Sequence, residues 1–376
     1  MQTKQLLSLE IENYRSFYKR QILSFGIGKA RRVTAIFGAN SGGKSNTARA
    51  LALIQHIIFN SASANWNLPY EPFLLKQDSD KKPTYFKLSF ATAGRFFTYE
   101  FGFEADRVVF EELKEKSDNT QKMKTIFTRN NEGNLNSSAG KFGFGASITR
   151  KTRRDTLLLT KAREDNNEYA NIVFDLMNSI QIIQGDSTEI SNYSIELFKQ
   201  NANLQKMTLD LMKKCDFHIR GFIVDEIVVN TSHAVRDDER TVIGERQFDF
   251  MSQESMGTKK FFELAVPITD ALERGNTVYI DEFGAFLNPL LSNAIVELFK
   301  SKNNESGATL VLNTHNTSIM SEAELSRDDI VFVEKTLGEE SRINTLSSKS
   351  VRENEAFEKR YRSGFYGATP IIKDRA

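Results

Sequence analysis

The sequence predicts an α/β protein in which a mixed and parallel β-sheet is flanked by helices and carries an inserted β-ribbon and helical subdomain. Residues 31–37 form a short apolar strand candidate, and a glycine-rich turn and a helical pattern over residues 45–60 follow it. Apolar and aromatic residues alternate over residues 85–109 around Ala93-Gly94-Arg95, which is typical of an antiparallel hairpin. From about residue 250 strand-like runs alternate with helical patterns, which indicates a largely parallel sheet.

The same patterns divide the chain into three parts. Residues 1–112 begin with strand candidates and hold the glycine-rich turn, so we interpret them as an N-terminal lobe. Residues 113–218 change to ribbon and loop sequence and then to helical periodicity, which predicts an insertion of β-ribbon and helices. Residues 219–376 form the C-terminal lobe. Because residues 130–140 are rich in Asn, Gly and Ser, we expect disorder there.

Composition restricts the function classes. The chain of 376 residues has 50 Lys and Arg against 49 Asp and Glu, so its net charge of +1 provides no global field for nucleic acid. The single cysteine, Cys215, excludes an internal disulfide framework and a cysteine-based zinc site, and we interpret it as a buried apolar residue. The segment Met1–Glu10 lacks the apolar core of a signal peptide, and no stretch approaches the roughly 20 apolar residues of a membrane helix. We therefore expect a cytoplasmic protein without a membrane partner.

The glycine-rich turn matches the phosphate-binding pattern G-x-x-x-x-G-K-[ST]. Its residues are Gly38, Ala39, Asn40, Ser41, Gly42, Gly43, Lys44 and Ser45, and Asn46 follows on the helix. The glycines let backbone N–H groups point at phosphates, Lys44 supplies charge to the β and γ oxygens, and the Ser45 hydroxyl is placed for Mg²⁺. A chance Gly/Ser turn would not need a buried strand before it and a helix after it. The segment therefore predicts a P-loop that binds ATP with Mg²⁺.

A second apolar strand ends in two carboxylates, Asp281 and Glu282, as a Walker B strand does. Asp281 would hold the Mg²⁺ hydration shell, and Glu282 would orient and deprotonate the attacking water. Taken alone, two acids after a strand are usually a solvated strand end. Because a P-loop is present in the same chain, we interpret them as metal ligand and general base.

A third apolar strand is followed by His315, where a side chain could reach a γ-phosphate. A structural histidine is the alternative, since a lone His is weak support for catalysis. The setting after a Walker B strand favours the γ-phosphate sensor. The other histidines have no metal-ligand spacing.

The segment Glu254–Lys260 lies just before a helical run and upstream of the acidic strand. By itself a Ser before a helix is an N-cap. Yet the segment resembles the signature of ABC-type ATPases, in which a Ser and a Gly contact the γ-phosphate of ATP held by the opposite protomer. The resemblance gives those roles to Ser255 and Gly257.

The order of P-loop, long insertion, signature, Walker B and His resembles the ABC/SMC/Rad50 class of ATPases. The resemblance is closer to a family of short bacterial ABC-type ATPases found mostly in anti-phage abortive-infection and restriction-linked operons. It rests on the segments 9–17, 38–40, 254–258, 280–283 and 361–370. This chain departs from that family in having Leu287-Asn288-Pro289 for Leu-His-Pro and Asn313-Thr314-His315 for Thr-Thr-His.

The resemblance implies an ABC-type P-loop NTPase core that hydrolyses ATP. It implies a homodimer formed through an ATP sandwich, with larger oligomers an open alternative. It also implies that the insertion over residues 113–218 is a partner or sensor region. It further implies a regulatory or sensor subunit of an anti-phage defence system that responds to a phage-derived trigger and controls a separate effector, a nuclease or toxin. An SMC- or RecF-like DNA-repair ATPase is the second hypothesis, and it requires a DNA path. A scaffold that binds nucleotide without turnover is the third, and Glu282 argues against it.

Three further predictions concern residues around the predicted nucleotide-binding site. Asn13, Arg15 and Ser16 resemble nucleotide contacts, but a turn between strands explains them equally well, and we include Arg15 among the nucleotide-binding candidates. Gln77 is a candidate Mg²⁺-sensing glutamine, although its flanks favour an ordinary loop. The basic run Arg150–Arg154 is more often a solvated surface than a nucleic-acid contact.

Overall fold

The computed structural model describes residues 4–116, 122–184, 192–225, 229–285, 287–349 and 356–369. The strands are β1 (Lys4–Glu12), β2 (Gln21–Ser24), β3 (Gly26–Ile27), β4 (Lys29–Ala30), β5 (Val33–Phe37), β6 (Thr84–Thr92), β7 (Arg95–Phe103), β8 (Val108–Lys116), β9 (Met123–Arg129), β10 (Ile180–Ile183), β11 (Gly221–Val224), β12 (Val229–Arg236), β13 (Val242–Asp249), β14 (Thr277–Phe283), β15 (Thr309–Thr314), β16 (Ile330–Lys335) and β17 (Ser341–Thr345). The helices are α1 (Lys44–Asn60), α2 (Ala146–Lys151), α3 (Leu158–Glu164), α4 (Glu168–Asn178), α5 (Asn192–Gln200), α6 (Ala202–Lys214), α7 (Phe250–Gln253), α8 (Met256–Arg274), α9 (Pro289–Lys300), α10 (Ile319–Glu322) and α11 (Phe357–Arg362).

A parallel sheet positions the motifs. Its strand order is β10-β14-β15-β5-β16, and β17 is added antiparallel beside β16. Every residue of β5 and β15 is buried, because helices or other strands cover both faces of the sheet. Since parallel strands run the same way, the residues that follow β5, β14 and β15 meet at one edge.

A second sheet is antiparallel, in the order β2-β1-β6-β7-β8-β9. The predicted hairpin is confirmed: β6 and β7 pair from Thr84 with Phe103 to Thr92 with Arg95. The two turn residues, Ala93 and Gly94, have φ angles of 52° and 76°, as a type I′ turn requires. A third sheet, β11-β12-β13, and the small β3-β4 pair complete the described strands.

Two hydrophobic cores lie on the two faces of the parallel sheet. On one face Ile36 and Tyr279 pack with the antiparallel sheet, α1, α3 and α4. On the other face Phe37 and Ile280 pack with α6, α8 and α9. The predicted α/β class with a mixed and parallel sheet, flanking helices and an inserted ribbon is thus confirmed. Within the described residues, no helix is long and apolar enough to cross a membrane.

Two features differ from the sequence predictions. The expectation of disorder near residues 130–140 is wrong, because the Asn130 side chain accepts bonds from the backbone N–H groups of Glu132 and Asn134 and closes a turn. The helical periodicity within residues 113–218 predicts no strand at Ile180–Ile183, yet β10 forms there and pairs in parallel with β14. β8 crosses the predicted boundary at residue 112, and the division into two lobes and an insertion stays a prediction.

A buried carboxylate joins the antiparallel sheet to the helices. Glu111, on β8, is fully buried and accepts hydrogen bonds from the N–H groups of Leu158 and Leu159 at 2.7 and 2.9 Å, at the start of α3. It also accepts from the Tyr99 hydroxyl at 2.9 Å and lies 3.7 Å from Arg129. Glu111 therefore accepts hydrogen bonds from the free N–H groups at the start of α3 and also balances the charge of the buried Arg129.

We expect Glu111→Ala to lower the free energy of unfolding by about 3–5 kcal/mol, because it leaves Arg129 buried without its carboxylate. The neighbouring substitution Glu112→Ala is the matched control. Glu112 lies on the same strand, where it pairs with Lys114 and accepts from the Thr128 hydroxyl, but it faces no buried cation, so its loss should cost about 1 kcal/mol. Urea unfolding followed by circular dichroism measures both values, and equal costs would contradict the role given to Glu111.

Candidate nucleotide-binding site

The phosphate-binding loop connects β5 to α1 and begins the 17-residue helix at Lys44. Its backbone is unusual at Ser41 and Gly43, whose φ angles are 61° and 110°. A Cβ on Gly38 would lie 2.1 Å from the Val333 carbonyl oxygen, so the first glycine permits close packing against β16. The loop thus leaves the N–H groups of the helix N-terminus facing the open side, which suits an anion.

Residues remote in sequence hold this loop. The Ser341 hydroxyl, on β17, donates to the Gly42 carbonyl at 2.7 Å, and the Ser341 N–H donates to the Ser16 carbonyl at 2.7 Å. The Asn46 side chain donates to the Ser16 hydroxyl at 2.8 Å. The β16–β17 hairpin and the turn after β1 therefore fix the loop from two sides.

Lys44 is buried and folds back over the loop. Its Nζ donates to the carbonyl oxygens of Gly38 and Ala39 at 2.8 and 3.0 Å. Burial lowers the pKa of Lys44 to about 8, while the carboxylates of Asp281 and Glu282 oppose that shift. The ammonium is poorly solvated, so it gains strongly from an anionic ligand.

The two acids at the end of β14 have different environments. Asp281 is buried, and its Oδ1 accepts from Asn313 Nδ2 at 2.7 Å. Glu282 is exposed and has a φ angle of 55°, at the point where the pairing register with β15 shifts. A positive φ in a residue with a side chain is strained and persists only where surrounding structure enforces it. Although adjacent side chains of a regular strand point to opposite faces, both acids line the same cleft.

His315 follows β15 and lines the same cleft as the acids. Burial and then the charge of Lys44 lower its pKa, while Glu282 and Asp281 act in the opposite direction. The imidazole is therefore neutral near pH 7 and has one N–H to donate.

These groups surround one cleft of about 530 Å³. Its lining residues are Ser16, Asn40, Ser41, Gly42, Gly43, Lys44, Ser45, Asn46, Arg49, Asp281, Glu282, Asn313, His315 and Lys335. The volume is in the range of ligand-binding clefts. The Ser45 hydroxyl and the Asp281 carboxylate are the oxygen ligands that Mg²⁺ prefers, and they stand beside the phosphate-binding loop. The lining therefore fits a nucleotide with Mg²⁺.

Some predicted residues are not brought into this cleft. Arg15 pairs with Glu71, and Asn13 is buried with its amide donating to the Ser79 and Lys82 carbonyls, so only Ser16 of that turn lines the cleft. Gln77 is exposed in a turn. The predicted signature residues Ser255 and Gly257 are exposed at the start of α8, where Ser255 is the N-cap of the helix, and they do not line the cleft of their own chain.

Gln184 is a residue that the sequence analysis missed. It follows β10, whose last residue, Ile183, pairs with Ile280. Gln184 therefore comes to the same strand edge as Asp281 and lines a small cavity with Glu282 and Lys260. The short run Ile180–Ile183 before a Gln-Gly pair was the available signal, and the helical periodicity around it hid the strand.

Cys215 and one cation of the basic run have structural roles. Cys215 is buried, as expected, and burial raises the pKa of its thiol. Arg153 donates to the carbonyls of Ser61 and Ser63, so one cation of the run is used to hold the chain after α1. Among the residues that the structure describes, no group of three or more His, Cys, Asp or Glu could hold a metal ion.

Comparison with known proteins gives a family. The family model described as "AAA domain, putative AbiEii toxin, Type IV TA system" matches residues 33–176 and 209–321, which is more than half of the chain. No curated protein matches the sequence. The match includes the P-loop, the signature segment, the acidic strand and His315, and with the strand order it supports a P-loop ATPase fold.

Solved structures show a looser likeness. The SMC head domain from Thermotoga maritima is 17% identical with a TM-score of 0.45, over 91% of this chain and 98% of that chain. An SMC head bound to the C-winged helix domain of ScpA is 13% identical with a TM-score of 0.44, over 94% and 99%. An SMC head with an extended coiled coil, bound to the C-terminal domain of ScpA derived from Pyrococcus furiosus, is 12% identical with a TM-score of 0.43, over 92% and 97%. Nothing about function follows from likenesses of this size.

We expect Gly43→Ala to weaken ATP binding about tenfold or more. The new Cβ would lie 2.3 Å from Ser341 Oγ, and the φ of 110° adds a penalty of about 1–2 kcal/mol to the native loop conformation. Calorimetric titration with ATP measures the affinity. The control is Gly94→Ala, which also has a positive φ but meets nothing within 4 Å, and should leave ATP affinity unchanged. Equal affinities for the two variants would contradict the assignment.

Proposed function

We propose, on the premise that this chain belongs to the family described as AAA domain, putative AbiEii toxin, Type IV TA system, that it hydrolyses Mg-ATP in a site shared between two copies. The observation that carries the proposal is the single cleft lined by Lys44, Ser45, Asp281, Glu282 and His315. Phosphoryl transfer to water requires groups of these kinds. They are a phosphate-binding loop, two oxygen ligands for a cation, an exposed carboxylate and a neutral imidazole.

Each group has a separate task. The loop N–H groups and Lys44 hold the phosphates, and Ser45 and Asp281 hold the Mg²⁺. When bound, the cation neutralises charge on the phosphate oxygens. Glu282 accepts a proton from the attacking water, and the His315 N–H donates to the γ-phosphate.

A second copy completes the site. The start of α8, with Ser255 and Gly257, is exposed and lies outside the cleft of its own chain. Such a helix N-terminus can reach the γ-phosphate held by another copy, where its N–H groups favour the negative charge. ATP then holds two copies together, because it contacts both only in the closed dimer.

Gln184, and not Gln77, is the glutamine that we assign to sensing Mg²⁺. It follows β10 at the strand edge that ends in Asp281, whereas Gln77 is exposed in a turn. Its amide oxygen is a suitable ligand for a hydrated cation.

The ATPase serves as the regulatory or sensor subunit of a bacterial anti-phage defence system, and it controls a separate effector, a nuclease or toxin, in response to a phage-derived trigger. The family's description, which refers to a type IV toxin–antitoxin system, supports the link to such a system. The resemblance of both chain ends to ATPases of abortive-infection operons supports it further.

We expect Glu282→Gln to trap ATP-bound dimers and to abolish phosphate release, because the amide cannot accept the proton of the attacking water while nucleotide contacts remain. Light scattering coupled to size-exclusion chromatography, with Mg²⁺ alone and with Mg²⁺ plus ATP, gives the mass. Glu305→Gln, at an exposed loop position, is the control and should behave as wild type.

Two further variants distinguish ATP binding by one copy from the sharing of an ATP site between two copies. Lys44→Ala should lose ATP binding. Adding Ser255→Arg to Glu282→Gln should make the trapped dimer dissociate into monomers, each of which still binds ATP. If the mass did not respond to nucleotide in any of these proteins, the proposal of a site shared between two copies would be contradicted. If Glu282→Gln hydrolysed ATP at the wild-type rate, the assignment of Glu282 as general base would be contradicted.

We expect cells that carry this gene with its native neighbouring genes to resist a phage that the system detects, and to lose that resistance with Lys44→Ala. The reason is that a regulator driven by ATP cannot change state without its nucleotide. Plating efficiency over a panel of phages measures resistance, and Gly94→Ala serves as the control. Equal protection by wild type and Lys44→Ala would contradict the regulatory role.

A further inference from the structure

A chain of buried polar side chains lies behind the cleft and ends on the carboxylate of Asp281. It runs from Thr47 on α1 through Tyr279 on β14 to Asn313 on β15. Thr47 and Tyr279 are completely buried, and Asn313 is 1% exposed. In such surroundings each hydrogen bond is strong and an unmade one is costly.

Asn313 is the centre of this chain. Its Nδ2 donates to Asp281 Oδ1 at 2.7 Å and to the Lys44 carbonyl oxygen at 3.0 Å. Both oxygens can only accept, so the amide cannot be flipped without placing Oδ1 against two acceptors. The amide therefore connects the first residue of α1 to the acidic strand.

The remaining members fix the amide from behind. The Tyr279 hydroxyl donates to Asn313 Oδ1 at 3.1 Å, and the Thr47 hydroxyl lies 2.6 Å from the Tyr279 oxygen. The Thr47 hydroxyl also donates to the Lys44 carbonyl, so the two hydroxyls share their two protons among three contacts. Within the chain, the donor that reaches Asp281 is Asn313 Nδ2.

We propose that Asn313 is a positioning residue for the cation: it holds Oδ1 of Asp281 so that the other carboxylate oxygen is presented to Mg²⁺ beside Ser45. The proposal rests on the proposed function, since it concerns the same Mg-ATP site. Asn313 does not touch the nucleotide's reacting atoms in this role. It acts through Asp281 and through the Lys44 carbonyl.

The residue type at this position matters. Asn313 donates two protons from one atom, Nδ2, to the Lys44 carbonyl and to Asp281. A threonine hydroxyl has one proton and could not donate to both. The double bridge between the P-loop helix and the acidic strand therefore requires a side chain with two protons to donate.

Titration of Mg²⁺ into the full chain with a fluorescent non-hydrolysable ATP analogue tests the proposal. In Asn313→Asp a carboxylate would face Asp281 and the Lys44 carbonyl. We expect the Mg²⁺ concentration at half-saturation to rise about tenfold or more, the range in which partners of metal ligands act. Binding of the analogue in the presence of a chelator should stay unchanged. Tyr279→Phe, which keeps the ring and loses only the hydroxyl, should shift the Mg²⁺ midpoint in the same direction by less.

Asn304→Asp is the matched control. Asn304 is also buried, and its amide donates to two carbonyls, those of Phe299 and Ala308, before the amino end of β15. It should lose stability without a shift in the Mg²⁺ midpoint. If Asn313→Asp does not fold, Tyr279→Phe decides the question.

The outcomes are distinguishable. Wild type that fails to bind the analogue with or without Mg²⁺ overturns the proposed function, and this inference with it. Wild-type binding that Mg²⁺ enhances, with the same midpoint in the Asn313 and Tyr279 variants, overturns the positioning role alone. An equal loss of binding with and without Mg²⁺ in both variants also overturns it, because the chain would then support the P-loop and not the cation.

Discussion

The common direction of β10, β14, β15 and β5 is the constraint on which the rest of the molecule depends. Ile183 pairs with Ile280, Ile280 with Leu312, and Asn313 with Ile36, so the carboxyl ends of these strands coincide. The P-loop and the acidic strand come together although more than 200 positions separate Lys44 from Asp281. A shift by one residue would turn buried side chains to the opposite face, and burial on both faces therefore fixes the register.

Close packing and local strain complete what the strand order begins. The P-loop approaches β16 so tightly that Gly38 and Gly42 lie against the Val333 carbonyl, and Ser341 holds it from the neighbouring strand. Near the carboxyl end of β14, the backbone of Glu282 takes a positive φ. In a regular strand adjacent side chains point to opposite faces, whereas both acids at this irregular end line one cleft.

Two buried polar side chains have the same structural role, because each joins two elements of the fold. Glu111 joins the antiparallel sheet to α3, and Asn313 joins the P-loop helix to the acidic strand. In each case one side chain bonds several buried polar groups at the junction of two elements. Such a group defines a relative position more sharply than apolar contact can, because hydrogen bonds require distance and direction. The elements that line the cleft are therefore held in place relative to one another by directional hydrogen bonds.

The sequence by itself determined the α/β class, the P-loop strand and helix, the hairpin over residues 84–103, and the motif residues, because these depend on local periodicity and on glycine at fixed spacing. Only the tertiary structure decided that β10 joins the parallel sheet and brings Gln184 to its edge, that Arg15 turns to Glu71, and that Ser255 lies outside its own cleft. It also decided the bridge made by Asn313, which appeared in sequence only as a departure from a motif. The physical reason is that local patterns specify which face of an element is buried, whereas the partners of a polar side chain depend on elements that are distant in sequence.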